Sequence, residues 1–269
     1  MALASNEVAP PNPANAAETN VGSRVLARVG HPAAYRVRLA DSSGDVVAAQ
    51  KLRAEVFNLE RNEGLASSHA TRRDEDPFDA HCHHLLVESV STGEIVGTYR
   101  LQTGAMARRN LGYYSAQEFQ LAPFESVRGE LVELGRACVH CSHRNIRVLS
   151  LLWRGVVDYA RGHACRYFVG CSSMPGLDPR DGAAAYLELG SRHLVDAPFR
   201  THPLPAYACA LDRVAAEAPR IPPLLRAYLS LGARICGAPA LDRDFKTIDF
   251  LTWMDLAALP PAARHILGT

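Results

Sequence analysis

The chain has 269 residues, of which 48% are apolar and 21% charged, and its 29 basic and 28 acidic side chains leave a net charge of +1. This is the profile of a globular protein of one or two domains with room for a real core; it excludes a disordered or collagen-like chain and gives no global attraction to nucleic acid. No stretch approaches the roughly 20 apolar residues that span a bilayer, and the N-terminal residues lack a basic start followed by an apolar run, so a cytoplasmic protein is expected. Seven cysteines at irregular spacing read as reduced thiols and small core residues, not as a disulfide framework.

Residues 1–33 carry Pro10, Pro11 and Pro13 among asparagines and alanines without periodicity, the composition of a disordered tail ahead of a single domain over 34–269. Tyr35, Val37 and Leu39 alternate as a first strand. Ser43 is then placed to cap a helix whose Val46, Ala49, Leu52, Val56 and Leu59 fall at helical spacing. After a polar segment to Ala80, strands over 83–90 and 94–103 flank Ser91-Thr92-Gly93 as an antiparallel hairpin. An unpatterned insertion, 104–129, leads into a third core strand over 130–139. A loop, 140–145, precedes a helix over 146–162, and a short strand over 167–172 follows. Helices near 182–194 and 223–231 and a strand near 247–254 complete a mixed α/β layer.

Dinucleotide, P-loop, zincin and nucleophile-elbow signatures are all absent. Cys138 with Cys141 has no second cysteine pair, and strand alternation sends His83 and His84 to opposite faces, so no metal site is expected. What stands out is charge where the pattern predicts burial: Arg53 one helical turn before Phe57, Asp76 and Asp79 around Pro77-Phe78, Arg100 in the second hairpin strand, and Glu133 and Arg136 in the third core strand. Buried charges must be paired, so these residues point to a network.

In order and approximate spacing these positions resemble the signature of acyl-homoserine lactone synthases, a branch of the GNAT acyltransferases. More specific stretches are similar to the ornithine N-acyltransferases that begin ornithine lipid synthesis: Phe78-Asp79-Ala80-His81, Val96 to Leu101, Glu133 to His140, Leu151 to Gly155 and Asp242-Arg243-Asp244-Phe245. The resemblance covers about residues 35–255. It implies a GNAT fold, a mixed and mostly antiparallel sheet flanked by helices and splayed at its two central parallel strands. It also implies transfer of a (3-hydroxy)acyl chain from the phosphopantetheine of an acyl carrier protein to the α-amine of ornithine, with no other cofactor.

On that footing Glu133, Arg100 and Arg136 are the expected catalytic residues, and Arg53, Phe57, Asp76 and Asp79 the expected acceptor-binding residues. Arg144, Asn145 and Arg147, at the start of the helix over 146–162, are expected to hold the donor phosphate. The loop before that helix lacks the glycines that admit the pyrophosphate of coenzyme A, which favours a carrier protein. Other acceptors such as glycine, a homoserine-lactone signal synthase, and a nonenzymatic carrier-binding module are the alternatives; the second requires S-adenosylmethionine recognition that no motif supplies. A single-chain lipid product suggests peripheral contact with the inner face of the membrane through Leu224, Leu225, Tyr228 and Leu229, although their helical spacing suits core packing better. Finally, Glu133 and Arg136 are three apart and would face opposite sides of a regular strand; sharing a site requires a β-bulge, expected at Gly135.

Overall fold

The computed structural model describes residues 34–217 and 220–267; the expected tail lies outside them. In chain order the elements are β1 (Tyr35–Leu39), α1 (Ser43–Ala54), α2 (Ser68–Thr71), β2 (His83–Ser89), β3 (Ile95–Thr103), α3 (Gly104–Arg109), β4 (Leu131–Val139), α4 (Ile146–Gly162), β5 (Tyr167–Pro175), α5 (Pro179–His193), α6 (Pro223–Ser230), β6 (Arg234–Ile235), β7 (Ala240–Asp242), β8 (Thr247–Asp255) and α7 (Pro261–Leu267). The strands form one sheet in the order β1-β2-β3-β4-β5-β8-β6, with β7 also paired to β8. Every pairing is antiparallel except β4 with β5. This is the GNAT-type arrangement the motifs imply.

Three local features position the site. The first is the start of α1, capped by Ser42 and not Ser43: the Ser42 hydroxyl accepts from the Asp45 amide at 3.2 Å, satisfying one of the free N–H groups of the first turn. The end of α1 widens into a π-helical turn, Glu55–Glu60. That change of period rotates the chain, so Leu59, expected on the buried face, is 59% exposed, while Phe57 turns inward.

The second is the separation of β4 from β5. Their parallel pairing covers only Leu131 to Glu133 against Tyr167 to Val169. Beyond that point the strands part, while β5 stays paired with β8 along its whole length. Gly170 sits at the fork, where a Cβ would lie 2.2 Å from the Leu134 carbonyl oxygen. Only glycine fits so close to a neighbouring backbone.

The third is a bulge in β4. Pairing with β3 passes from Thr98↔Cys138 to Arg100↔Gly135, one residue on β3 against two on β4. The expected bulge is therefore present but shifted: the left-handed residue is Arg136, with φ 53°, and not Gly135. At Gly135 a Cβ would meet only the Arg100 Nε, at 4.0 Å, an ordinary van der Waals contact. A non-glycine residue in this conformation is uncommon and is held there by its surroundings.

The sheet has two differently furnished faces. On one, α4 buries Val148, Leu152 and Val156 against Val37, Leu85, Val87 and Tyr99, each aliphatic chain contributing about 1.5–3 kcal/mol. On the other, α1 and the 104–130 segment cover the sheet, with Phe119, Phe124, Leu131 and Trp253 packed together. The insertion that looked unpatterned in sequence thus contains α3 and two 3-10 turns, Tyr114–Gln117 and Ala122–Glu130. Leu225, Tyr228 and Leu229 of α6 are buried in the cores. They are not a membrane-facing stripe, because the apolar side of α6 closes over the sheet. Among the described residues no helix is long and apolar enough to cross a membrane.

Candidate active site

Where β4 and β5 part, a cleft of about 640 Å³ passes through the sheet. Its lining on the α4 and α6 side is apolar: Leu134, Leu149, Leu152, Phe168, Tyr228 and Met254. On the α1 side it is polar, with Arg100, Gln102, Tyr114, Glu133, Arg136 and Asp249. Alternation along β4, β5 and β8 produces this division, since successive side chains go to opposite faces of the sheet.

Glu133 lies at the fork. Its Oε1 accepts from the Ser115 amide at 2.8 Å, and its Oε2 from the Tyr114 amide at 2.8 Å and Gln102 Nε2 at 3.1 Å. Burial raises its pKa above the usual glutamate value, although the Ser115 and Tyr114 donors oppose this. Arg100 turns away from it to Asp76 Oδ1 and Oδ2, at 2.7 Å each, and to Asp79 Oδ1 at 3.0 Å.

The bulge brings Arg136 onto the same face. Its guanidinium meets Asp74 Oδ1 at 3.1 Å and Asp76 Oδ2 at 2.9 Å, and it stacks over the rings of Tyr114 and Phe245, 4.7 and 4.3 Å from their centroids. Arg53 completes this network from α1. Fully buried, it pairs with Asp74 at 2.9 Å and Asp79 at 2.6 Å and donates to the Asp74 carbonyl. Burial by itself would raise the Asp79 pKa, but Arg53 and Arg100 hold it well below the carboxylate range, and Asp76 is lowered by Arg100 and Arg136 in the same way.

At the cleft mouth Asn145 caps α4, its Oδ1 accepting from the amides of Arg147 and Val148 at 3.0 and 3.1 Å. Arg144 forks onto both Glu60 oxygens.

Comparison with known proteins settles the relationship. Residues 52–154 match the acetyltransferase (GNAT) domain family. The chain is 34% identical over 265 residues to the L-ornithine N(alpha)-acyltransferase of Agrobacterium fabrum, covering 93% of this chain and 88% of that one. It is 36% identical over 248 residues to the enzyme of the same name from Brucella abortus, covering 86% of each. The chain belongs to the L-ornithine N(alpha)-acyltransferase family. It is an acyltransferase. Among solved structures, FeeM, an N-acyl amino acid synthase from uncultured soil microbes, shares the fold with a TM-score of 0.51 at 13% identity, covering 86% of this chain and 97% of that one.

For this acyltransferase the expected site residues fall into two groups. Glu133, Arg100, Arg136, Phe57, Arg144 and Asn145 line the cleft. Arg53, Asp76 and Asp79 do not: they lie behind the lining, ion-paired with one another and with Arg100 and Arg136. Arg147 is exposed beside the mouth and outside the lining, because it occupies the outer side of the first α4 turn.

Sequence reasoning missed the carboxylates on the polar side of the cleft, Glu118, Asp242 and Asp249. Glu118 belongs to the insertion. Asp249, between the apolar Ile248 and Phe250 in a strand buried from Thr247 to Met254, was the available signal. Asp242 Oδ1 accepts from the amides of Asp244 and Phe245 at 2.9 and 3.0 Å, fixing the turn that presents Phe245 to Arg136.

Proposed function

We propose that this enzyme transfers a fatty acyl chain, carried as a thioester on the phosphopantetheine of an acyl carrier protein, to the α-amine of ornithine, giving a single-chain N-acyl-ornithine. The observation that carries the reading is the cleft through the sheet gap, apolar on one face and carboxylate-lined on the other, with Glu133 at the junction. An acyl chain suits the first half and a cationic amino acid the second. Family membership supplies the reaction class, and the relatives' name supplies the acceptor.

In this reading the free amine attacks the thioester carbonyl carbon, forming the C–N bond and placing charge on the carbonyl oxygen. Glu133, directly or through one water, takes the proton that the nitrogen sheds. Breaking the C–S bond then releases the pantetheine thiolate, which regains a proton, so amide and thiol are the net products. Arg136 and Arg100, fixed by Asp74, Asp76 and Asp79, line the cleft and are the hydrogen-bond donors available to the oxyanion and the acceptor carboxylate.

The carrier as donor is supported by the mouth. Asn145 already holds the amides of Arg147 and Val148, the groups a pyrophosphate would need, so a single phosphodiester guided by Arg144 and Arg147 fits better. Exposed Ile146, 71% accessible at the same rim, adds an apolar contact for a carrier or a membrane surface at the inner face. The test is incubation of purified protein with 3-hydroxyacyl carrier protein or the matching coenzyme A thioester and a panel of amino acids, with products identified by mass spectrometry. N-acyl-ornithine from the carrier is expected. Acylation of glycine or another acceptor without ornithine overturns the reading, and equal use of coenzyme A overturns the donor.

A further inference from the structure

The polar end of the cleft holds two acids that the mechanism above does not use. Glu118 and Asp249 are 2% and 4% exposed, line the cleft, and bring carboxylate oxygens within 4.8 Å of each other. Glu118 Oε2 and Asp249 Oδ1 are buried with no hydrogen-bond partner. Neither carboxyl forms an ion pair with a basic side chain among the described residues, whereas the nearby arginines are matched by Asp74, Asp76 and Asp79. Leaving a buried carboxylate oxygen without a donor is costly, so this arrangement is one that a cationic ligand completes.

We propose that Glu118 and Asp249 seat the side-chain ammonium of the dibasic acceptor, an inference that rests on the ornithine reading above. An ammonium brings three donors to a recess whose free groups are acceptors. Cys171 is the third group there: burial raises its thiol pKa, and it donates toward Ser115 Oγ at 3.6 Å. Its sulfur and the two carboxylates have ligand atoms within 4.8 Å of one another.

The placement accounts for the choice of nitrogen. Ser115 joins the two subsites: its amide donates to Glu133 and its hydroxyl faces Cys171. With the side-chain nitrogen held as an ammonium its lone pair is occupied by a proton. The α-amine, intrinsically more acidic as its ammonium than the side-chain amine, is left beside Glu133 as the nucleophile. In the unliganded enzyme the Glu118 and Asp249 pair keeps a proton, since burial first, and then the nearby Asp242 carboxylate, raise both acids, and the ammonium takes that proton's place.

The experiment compares kcat/KM for ornithine and for norvaline, the same carbon chain without the side-chain amine, in wild type, Glu118→Gln and Asp249→Asn, each checked for a cooperative thermal transition. The wild type is expected to prefer ornithine by several orders of magnitude, as sites built around a polar group do. Each variant is expected to lose about 30-fold or more on ornithine while norvaline changes by less than about threefold. If ornithine and norvaline fall together, or the wild type uses them equally, the seat is wrong while the acceptor reading stands. If the wild type acylates no ornithine at all, the acceptor reading fails and this assignment with it. Loss of activity on chelator treatment, restored by a divalent metal, overturns the ammonium in favour of an ion.

Discussion

Replacing Glu133 by glutamine separates its chemical role from its structural one. In the wild type both oxygens are used, Oε1 by the Ser115 amide and Oε2 by the Tyr114 amide and Gln102. Glutamine has one carbonyl oxygen. If it keeps Tyr114 and Gln102, its NH2 group faces the Ser115 N–H, and one buried donor is left unmatched at about 1–3 kcal/mol. Removing a buried charge offsets part of this, so Glu133→Gln should fold with a stability loss below about 3 kcal/mol. Loss of a general base is worth about 10²- to 10⁴-fold, or about 3–5 kcal/mol of barrier, which exceeds anything the stability change explains. A base works only when deprotonated, and the Glu133 pKa lies above the ordinary glutamate value. Wild-type kcat/KM should therefore fall as pH drops through that raised value, with an ascending limb that Glu133→Gln lacks. Steady-state kinetics across pH, with urea unfolding of both proteins, checks this. A variant within about threefold of wild type, or one that keeps the same limb, would show that Glu133 only clamps the Tyr114–Ser115 turn.

Arg53→Met should cost about 3–5 kcal/mol in urea unfolding, because it leaves three carboxylates, the buried Asp74 and Asp79 and the partly buried Asp76, to two guanidinium groups; a loss under about 1 kcal/mol would refute the pairing as drawn. Gly170→Ala should push β5 from β4, since its Cβ would stand 2.2 Å from the Leu134 carbonyl oxygen. A stability loss of about 1–3 kcal/mol with a raised donor KM is expected, and unaltered donor kinetics would argue that the gap is not the route for the thioester. Because Glu118 and Asp249 have raised pKa values, the unliganded protein holds a proton that the unfolded chain releases near pH 4.3. Its stability should thus decline as pH rises above that point, by up to about 1.4 kcal/mol per pH unit for one proton. Melting curves from pH 5 to 8 should be flatter for Glu118→Gln, and an identical slope would mean that the pair carries no proton.

Periodicity determined where the strands and α4 lie, because burying one face imposes a repeat of two or 3.6 residues that survives in the sequence without knowledge of what covers that face. It also foretold a bulge in β4, since Glu133 and Arg136 cannot share a face at a spacing of three in a regular strand. Local geometry was less readable. Whether Gly135 or Arg136 takes the left-handed conformation depends on the aspartates and rings that grip the Arg136 guanidinium, and those come from residues 74–76, 114 and 245. The same dependence divided the conspicuous charges. Arg53, Asp76 and Asp79 were legible as a network, but which members face the cleft is decided by how α1 and the 77–81 turn pack on β3. Glu118 and Asp249, 131 positions apart by their numbers, become one site only when the insertion folds over β5 and β8. No local pattern records that contact, because a lone acid in a loop and a lone acid in a strand each look ordinary until tertiary packing removes the water from both.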